Sequence, residues 1–274
     1  GISMVFLQSV IYGLPDSFVK LVYLEFPVFS FLGVRYALAS IFLLSLWGKT
    51  IIKEVNSVNI KHYIIPVLCM GSAFLISNTA LKFTTVSTAG FIRSSTPIIA
   101  AVMLMLFFSR KFTIKDALVL AMVMLGMYML ATQNGSSFSQ GFGIGEVLSL
   151  LASSAIAASL VFGKRALDYV SPVTLTCLQG IASLCFCIIG GLAEGTLLTT
   201  PWQLFSKNII WMSMVYLAIP CSVGGILLQN YALKHINPKM ISVIQCTYPI
   251  VASIVAYYIL GERLTVIGLI GCTL

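Results

Sequence analysis

The sequence predicts an all-α membrane protein. It would have ten transmembrane helices in two inverted five-helix repeats, with the tenth helix truncated. Three observations predict this: a composition suited to lipid, continuous apolar runs of crossing length, and an internal match at constant spacing. Of 274 residues, 59% are hydrophobic and only 9% are charged, with a mean hydropathy of +1.02. A soluble domain carries about 25% charged residues, so this chain cannot cover an aqueous surface, and a water-soluble enzyme is excluded. A helix crosses the hydrocarbon core in about 20 residues, so ten crossings use about 200 and leave only loops and ends. The runs are continuous rather than alternating, which excludes a β-barrel.

Charged and turn residues bound the crossings. Crossing 1 covers residues 2–22 and is interrupted by Pro15 and Asp16. Crossing 2 (27–47) opens at Pro27 and stops before Lys49; crossing 3 (63–81) lies between His62 and Lys82. Crossing 4 (86–108) ends at Ser109-Arg110-Lys111, and crossing 5 (114–132) runs into a Gly-, Ser-, Gln- and Asn-rich loop at 133–141. Crossing 6 (144–162) closes at Lys164-Arg165, and crossing 7 (172–192) opens at Pro172. Crossing 8 (209–233) ends at Lys234, crossing 9 (239–260) ends before Gly261, and crossing 10 (265–274) has about half the needed length. Gly1 and Leu274, the latter inside an apolar run, read as trimmed ends, and no cleavable signal pattern is visible.

The net charge is +8. In a membrane protein such an excess gathers on cytoplasmic loops. No basic stripe with interleaved aromatics points to nucleic acid, which is excluded as a partner. With the N-terminus placed inside, ten of the sixteen Lys and Arg residues fall on inner loops. Four (Lys20, Lys82, Lys207 and Arg263) fall on outer ends, and Arg35 and Arg93 lie within crossings. The asymmetry predicts a multi-pass protein of the cell membrane with both termini cytoplasmic. Seven cysteines, an odd number without metal-ligand spacing to histidine, read as packing residues. No metal site, cofactor or catalytic residue is indicated, and nothing sets an oligomeric state.

Asn78-Thr79-Ala80-Leu81-Lys82 matches Asn230-Tyr231-Ala232-Leu233-Lys234 at a shift of 152 residues. Thr96-Pro97-Ile98-Ile99-Ala100 matches Tyr248-Pro249-Ile250-Val251-Ala252 at the same shift. Crossings 3 and 4 therefore correspond to 8 and 9. Five crossings per repeat is odd, so the second copy must lie inverted in the membrane, an arrangement suited to transport. The repeats occupy residues 1–132 and 143–274.

Ile259-Leu260-Gly261-Glu262-Arg263-Leu264-Thr265 resembles a signature of EamA-type proteins of the drug/metabolite transporter superfamily. Residues 27–36, ending in Arg35-Tyr36, resemble that family's second helix. The Asn78 and Asn230 segments and the prolines Pro97 and Pro249 resemble its patterns in helices 3, 4, 8 and 9. The resemblance implies ten helices around a central cavity lined mainly by crossings 3, 4, 8 and 9, and transport of small organic metabolites. It also implies structural roles for Arg35 and Glu262. The first repeat departs from the pattern, with Ser109-Arg110-Lys111 where Gly-Glu-Arg is usual.

Ionisable residues inside a membrane are costly and usually functional. Arg93, four residues before Pro97, heads a polar patch with Ser94, Ser95 and Thr96. The shift places these opposite Gln245, Cys246, Thr247 and Tyr248. Arg93, Ser94, Thr96, Gln245, Tyr248, Asn78 and Asn230 are the expected substrate-binding residues, although the two asparagines equally suit capping or interhelical bonds. Pro97 and Pro249 are expected to bend their helices. Gln179 and Gln229 are further intramembrane amides without an assigned role. Of eight acidic residues only Asp16 falls deep in a crossing. A carboxylate or phosphate near Arg93 is therefore expected rather than a bare cation, although Tyr248, Tyr257 and Tyr258 leave an aromatic cation box open.

There is no Walker sequence, and no paired aspartates, Ser–His pair or HExxH for an intramembrane enzyme. The expected function is a secondary transporter of amino acids or related metabolites, exporting them by alternating access. The alternative is an exchanger of anionic phosphorylated or nucleotide-linked metabolites. The expected partners are a small-molecule substrate and the lipid bilayer.

Overall fold

The computed structural model describes residues 1–13, 27–80, 83–84, 86–109, 113–132, 143–199, 208–248, 250–251 and 270. Among the described residues every regular element is helical. In chain order they are α1 (Ile2–Gly13), α2 (Val28–Ser57), a 3-10 turn (Ile60–His62), α3 (Ile64–Ala80), α4 (Val86–Arg93) and α5 (Thr96–Phe108). Then come α6 (Ile114–Thr132), α7 (Ile144–Ala166), α8 (Pro172–Ala193), α9 (Thr196–Thr199) and α10 (Asn208–Tyr216). A π-helical stretch (Leu217–Gly225), α11 (Ile226–His235) and α12 (Pro238–Gln245) complete the order. Among the described residues, five stretches are long and apolar enough to cross a membrane: Val28–Ser57, Phe91–Phe108, Ile144–Ala166, Pro172–Ala193 and Ile210–His235. Nearly all of crossing 10 lies outside the described residues, as do Pro249 and Glu262.

Departures from the predicted bounds have local causes. α2 does not stop at Trp47 but kinks there (φ −125°, ψ 18°) and continues to Ser57. In the continuation Lys49 and Lys53 are exposed while Ile51 is buried. Charge alone predicts a loop; an amphipathic face keeps the segment helical. Crossing 4 is split between Arg93 and Thr96. Crossing 8 loosens into nine π-helical residues that contain Pro220.

The main packing joins residues 1–132 to residues 143–274. α3 lies on α7 and α8, α2 on α8, and α5 on α7 and α12. α1 lies on α11, α12 and the π-helical stretch. The largest core cluster accordingly draws Val5, Val67, Leu160, Leu175, Leu233 and Ile241 from six different helices. Lipid tails are as apolar as leucine, so association between membrane helices rests on close packing and hydrogen bonds. Gly71 supplies one close approach. A Cβ there would stand 2.8 Å from Ala182 Cβ and 3.0 Å from its backbone carbonyl carbon, so α3 meets α8 nearly backbone to backbone. Where α2 meets α8, Glu54 Oε2 accepts the backbone N–H of Ser171 at 2.8 Å. Ser171 is the N-cap of α8, so a carboxylate on α2 lies against the positive end of that helix.

α5 ends at Ser109, which adopts the left-handed conformation (φ 50°, ψ 29°). Ser109 aligns with Gly261 under the 152-residue shift. The backbone explains why glycine is usual there: a left-handed residue with a Cβ is strained, and glycine is not. Ser109→Gly is expected to stabilise the protein by roughly 0.5–1 kcal/mol. Thermal unfolding of the detergent-solubilised chain checks this; an unchanged or lowered midpoint contradicts it.

Candidate functional site

The candidate site begins with a proline. Pro97 has no N–H for the Arg93 carbonyl four residues earlier, and its ring crowds that oxygen. The helix therefore stops at Arg93 and restarts at Thr96. Ser94 N–H and Ser95 N–H bond back only three residues, to Phe91 O (3.1 Å) and Ile92 O (3.0 Å). Free carbonyls inside a membrane need partners. Here Thr96 Oγ1 donates to Arg93 O, the carbonyl that Pro97 cannot serve, while Ser94 Oγ and Ser95 Oγ add second bonds to Phe91 O and Ile92 O, which already accept backbone N–H groups. Ser153 of α7 adds a bond to Ile92 O at 3.3 Å. The hydroxyl hydrogens of Ser94 and Thr96 are thus directed to the backbone, and their oxygens keep lone pairs as acceptors.

The same break recurs after Gln245, with the same backbone bonds at the 152-residue shift. Cys246 N–H bonds Val243 O at 3.0 Å and Thr247 N–H bonds Ile244 O at 3.0 Å. Thr247 Oγ1 donates to Ile244 O at 2.8 Å, as Ser95 does to Ile92. Helical bonding resumes with Ile250 and Val251 onto Thr247 O, as Ile98 and Ile99 resume onto Ser95 O. Tyr248, half-buried, stands where the first half has Thr96.

A polar side chain at each break reaches the preceding crossing. Arg93 Nη2 donates to Ser77 Oγ at 2.5 Å, and Gln245 Nε2 donates to Gln229 Oε1 at 2.8 Å. Arg93 aligns with Gln245 and Ser77 with Gln229, so these are one contact built twice with different chemistry. Arg93 is exposed. Gln245 is half-buried and joins a cluster of three amides: it also donates to Gln8 Oε1 at 3.1 Å, and Gln8 Nε2 donates to Gln229 Oε1 at 3.0 Å. Gln8 and Gln229 are buried.

The other predicted residues lie apart from these pairs. Asn78 Nδ2 donates within its own helix to Phe74 O at 2.7 Å. Asn230 points the other way, donating to Thr176 Oγ1 at 2.9 Å and Gln179 Oε1 at 3.0 Å. Gln179 continues to Ser159 Oγ at 3.2 Å, which bonds Pro66 O at 3.0 Å, so one amide chain stitches α11, α8, α7 and α3. Asn230 Oδ1 is buried without a hydrogen-bond partner among the described residues. Arg35 Nε donates to Ser222 Oγ at 2.7 Å in the π-helical stretch. Sequence reasoning missed Gln8, Ser77 and Ser222. The signal for Gln8 was present: one amide in a 12-residue apolar helix is costly unless it meets a partner.

Among the described residues no three His, Cys, Asp or Glu side chains are grouped to hold a metal. Long apolar helices with polar groups directed inward define a multi-pass integral membrane protein. The EamA-like transporter family pattern matches residues 1–132 and again 143–274. The chain belongs to that family, whose members are membrane transporters of small molecules rather than enzymes. No curated protein matches the chain. Twenty-eight chains of solved structures do. One of them, described as "Crystal structure of protein", superposes with a TM-score of 0.79 at 12% identity, over 99% of this chain and 92% of that one. At this identity the likeness establishes fold alone.

The break makes a specific demand on Thr96. Thr96→Val leaves the Arg93 carbonyl without its donor and is expected to cost about 1–3 kcal/mol. Adding Pro97→Ala returns an N–H to that carbonyl and should recover most of the loss. A double-mutant cycle by thermal unfolding reads the coupling; simple additivity contradicts the assignment.

Proposed function

We propose that the chain is a secondary transporter that exports amino acids or related small metabolites across the cell membrane by alternating access. It would have both termini cytoplasmic and ten crossings in two inverted repeats. The observation that carries this reading is the pair of equivalent helix breaks at residues 94–95 and 246–247, each with a polar side chain reaching the preceding crossing. Irregular backbone at membrane depth is tolerated where it is buried in protein or lines a water-filled cavity, and paired broken helices build midplane transport sites. The packing of α5 on α12 brings the helix that follows the first break against the helix that precedes the second.

In this reading Arg93 takes the carboxylate of the substrate, with the acceptor oxygens of Ser94 and Thr96 nearby. Gln245 and Tyr248 receive its neutral part, while Asn78 and Asn230, hydrogen-bonded away from the breaks, serve helix packing. Pro97 and Pro249 are the points of bending, and Arg35 and Glu262 serve the scaffold. The second reading, exchange of anionic phosphorylated or nucleotide-linked metabolites, draws on the exposed Arg93 guanidinium. Its five donors suit a phosphate as well as a carboxylate.

Counterflow in proteoliposomes, run with amino acids and separately with phosphorylated metabolites, tests both readings. Arg93→Ala is expected to lower counterflow about 10- to 100-fold, and Arg93→Lys less, because a charged hydrogen bond is worth about 1.5–3 kcal/mol. Gln245→Leu should weaken transport in the same assay. Unchanged counterflow of an anionic substrate in all three variants sinks the assignment of the site. Absence of counterflow for both panels in the unmodified chain sinks the proposed substrate classes.

A further inference from the structure

A cavity of about 610 Å³ lies away from both helix breaks, where the end of α5, the end of α7 and the α11–α12 connection meet. Its walls are of two kinds. Leu104, Phe108 and Val161 form an apolar side, and the adjacent Phe107 of α5 is 62% exposed. The opposite side carries Lys164, Arg165 and His235, with Asp168 as the one acidic lining residue among the described residues.

The floor is fixed by Lys164. Its ammonium donates to the carbonyls of Leu233 (2.7 Å), Lys234 (2.9 Å) and Ile236 (3.4 Å), closing the C-terminus of α11. Arg165 is exposed, and its guanidinium carbon lies 5.9 Å from the centroid of the Phe108 ring, at the seam between the apolar and the basic wall. A soluble anion has no use for the apolar wall, and an acyl chain alone has no use for the arginine. A ligand with a negative head and a hydrocarbon tail satisfies both.

We infer that this cavity is a binding site for an anionic phospholipid. Its phosphate meets Arg165 at the His235 rim, and the upper part of an acyl chain lies along Leu104 and Phe108. Basic pockets between membrane helices bind such headgroups. The site stands independently of which substrate is transported.

Native mass spectrometry of the full chain, released from detergent with equal phosphatidylglycerol and phosphatidylcholine, tests the inference. One phosphatidylglycerol should be retained at least about fivefold over phosphatidylcholine, the ratio one basic side chain near a headgroup supplies. Arg165→Gln should remove that preference, and Arg165→Lys should keep it. Leu104→Trp, which fills the apolar wall, should reduce retention of the lipid without touching the charge. Equal retention of the two lipids, or an unchanged preference in Arg165→Gln, overturns the proposal. Displacement of the lipid by an equal concentration of glycerol phosphate would make this a site for soluble anions and overturn it too.

Discussion

A backbone carbonyl inside a membrane must find a hydrogen, and much of this molecule follows from that requirement. A proline that breaks a helix in water exposes an oxygen that water can satisfy. In lipid the protein must provide the donor. The run Arg93-Ser94-Ser95-Thr96-Pro97 does so within five residues, because Thr96 turns its hydroxyl onto the Arg93 carbonyl that Pro97 frees, and the two serines reinforce the carbonyls just before it. The break is therefore stable as built, and the long side chain just before it is left to reach another helix. The second half repeats the arrangement with Thr247.

The halves agree in backbone and differ in chemistry. One contact is a cation on a hydroxyl; its counterpart is an amide on an amide, reinforced by Gln8. Duplication fixes where the breaks fall, and the residues placed at them have diverged. A site assembled from two such halves, as proposed, would present a charged side and a neutral side to its occupant. That is a physical basis for orienting a small polar molecule. Arg35 has no second copy either: the shift aligns it with Cys187, and its partner Ser222 lies in a π-helical stretch containing Pro220.

The helical class and the long apolar helices were legible in the sequence because lipid demands continuous apolar runs, and α6 spans the residues predicted for crossing 5. The repeat spacing was legible too, and it located both breaks through Pro97 and Pro249. What hydropathy could not register was the discontinuity itself, since Ser, Thr and Pro inside an apolar run hardly change its average. Nor could it register partners far apart in the chain: Gln8 meets Gln245 across 237 residues, and Arg35 meets Ser222 across 187. The extension of α2 past Trp47 was hidden for the opposite reason, because its lysines resemble a loop until their spacing is set on a helix. Of the predicted site residues, Arg93 and Gln245 occupy equivalent places, whereas Asn230 belongs to a polar chain through α8, α7 and α3.

The bond from Glu54 to Ser171 N–H has a mechanical meaning. α2 and α8 belong to different halves, yet the N-cap residue of α8 is held by a carboxylate of α2, and the tie sits beyond the kink at Trp47. Any rearrangement that parts the halves at this face must either carry the α2 extension and the head of α8 together as a rigid block, or break the Glu54 bond to Ser171 N–H. The first course leaves Trp47 as the joint about which the remainder of α2 swings. The kink is then a pivot, and the carboxylate is the pin that keeps the far arm attached to the opposite half.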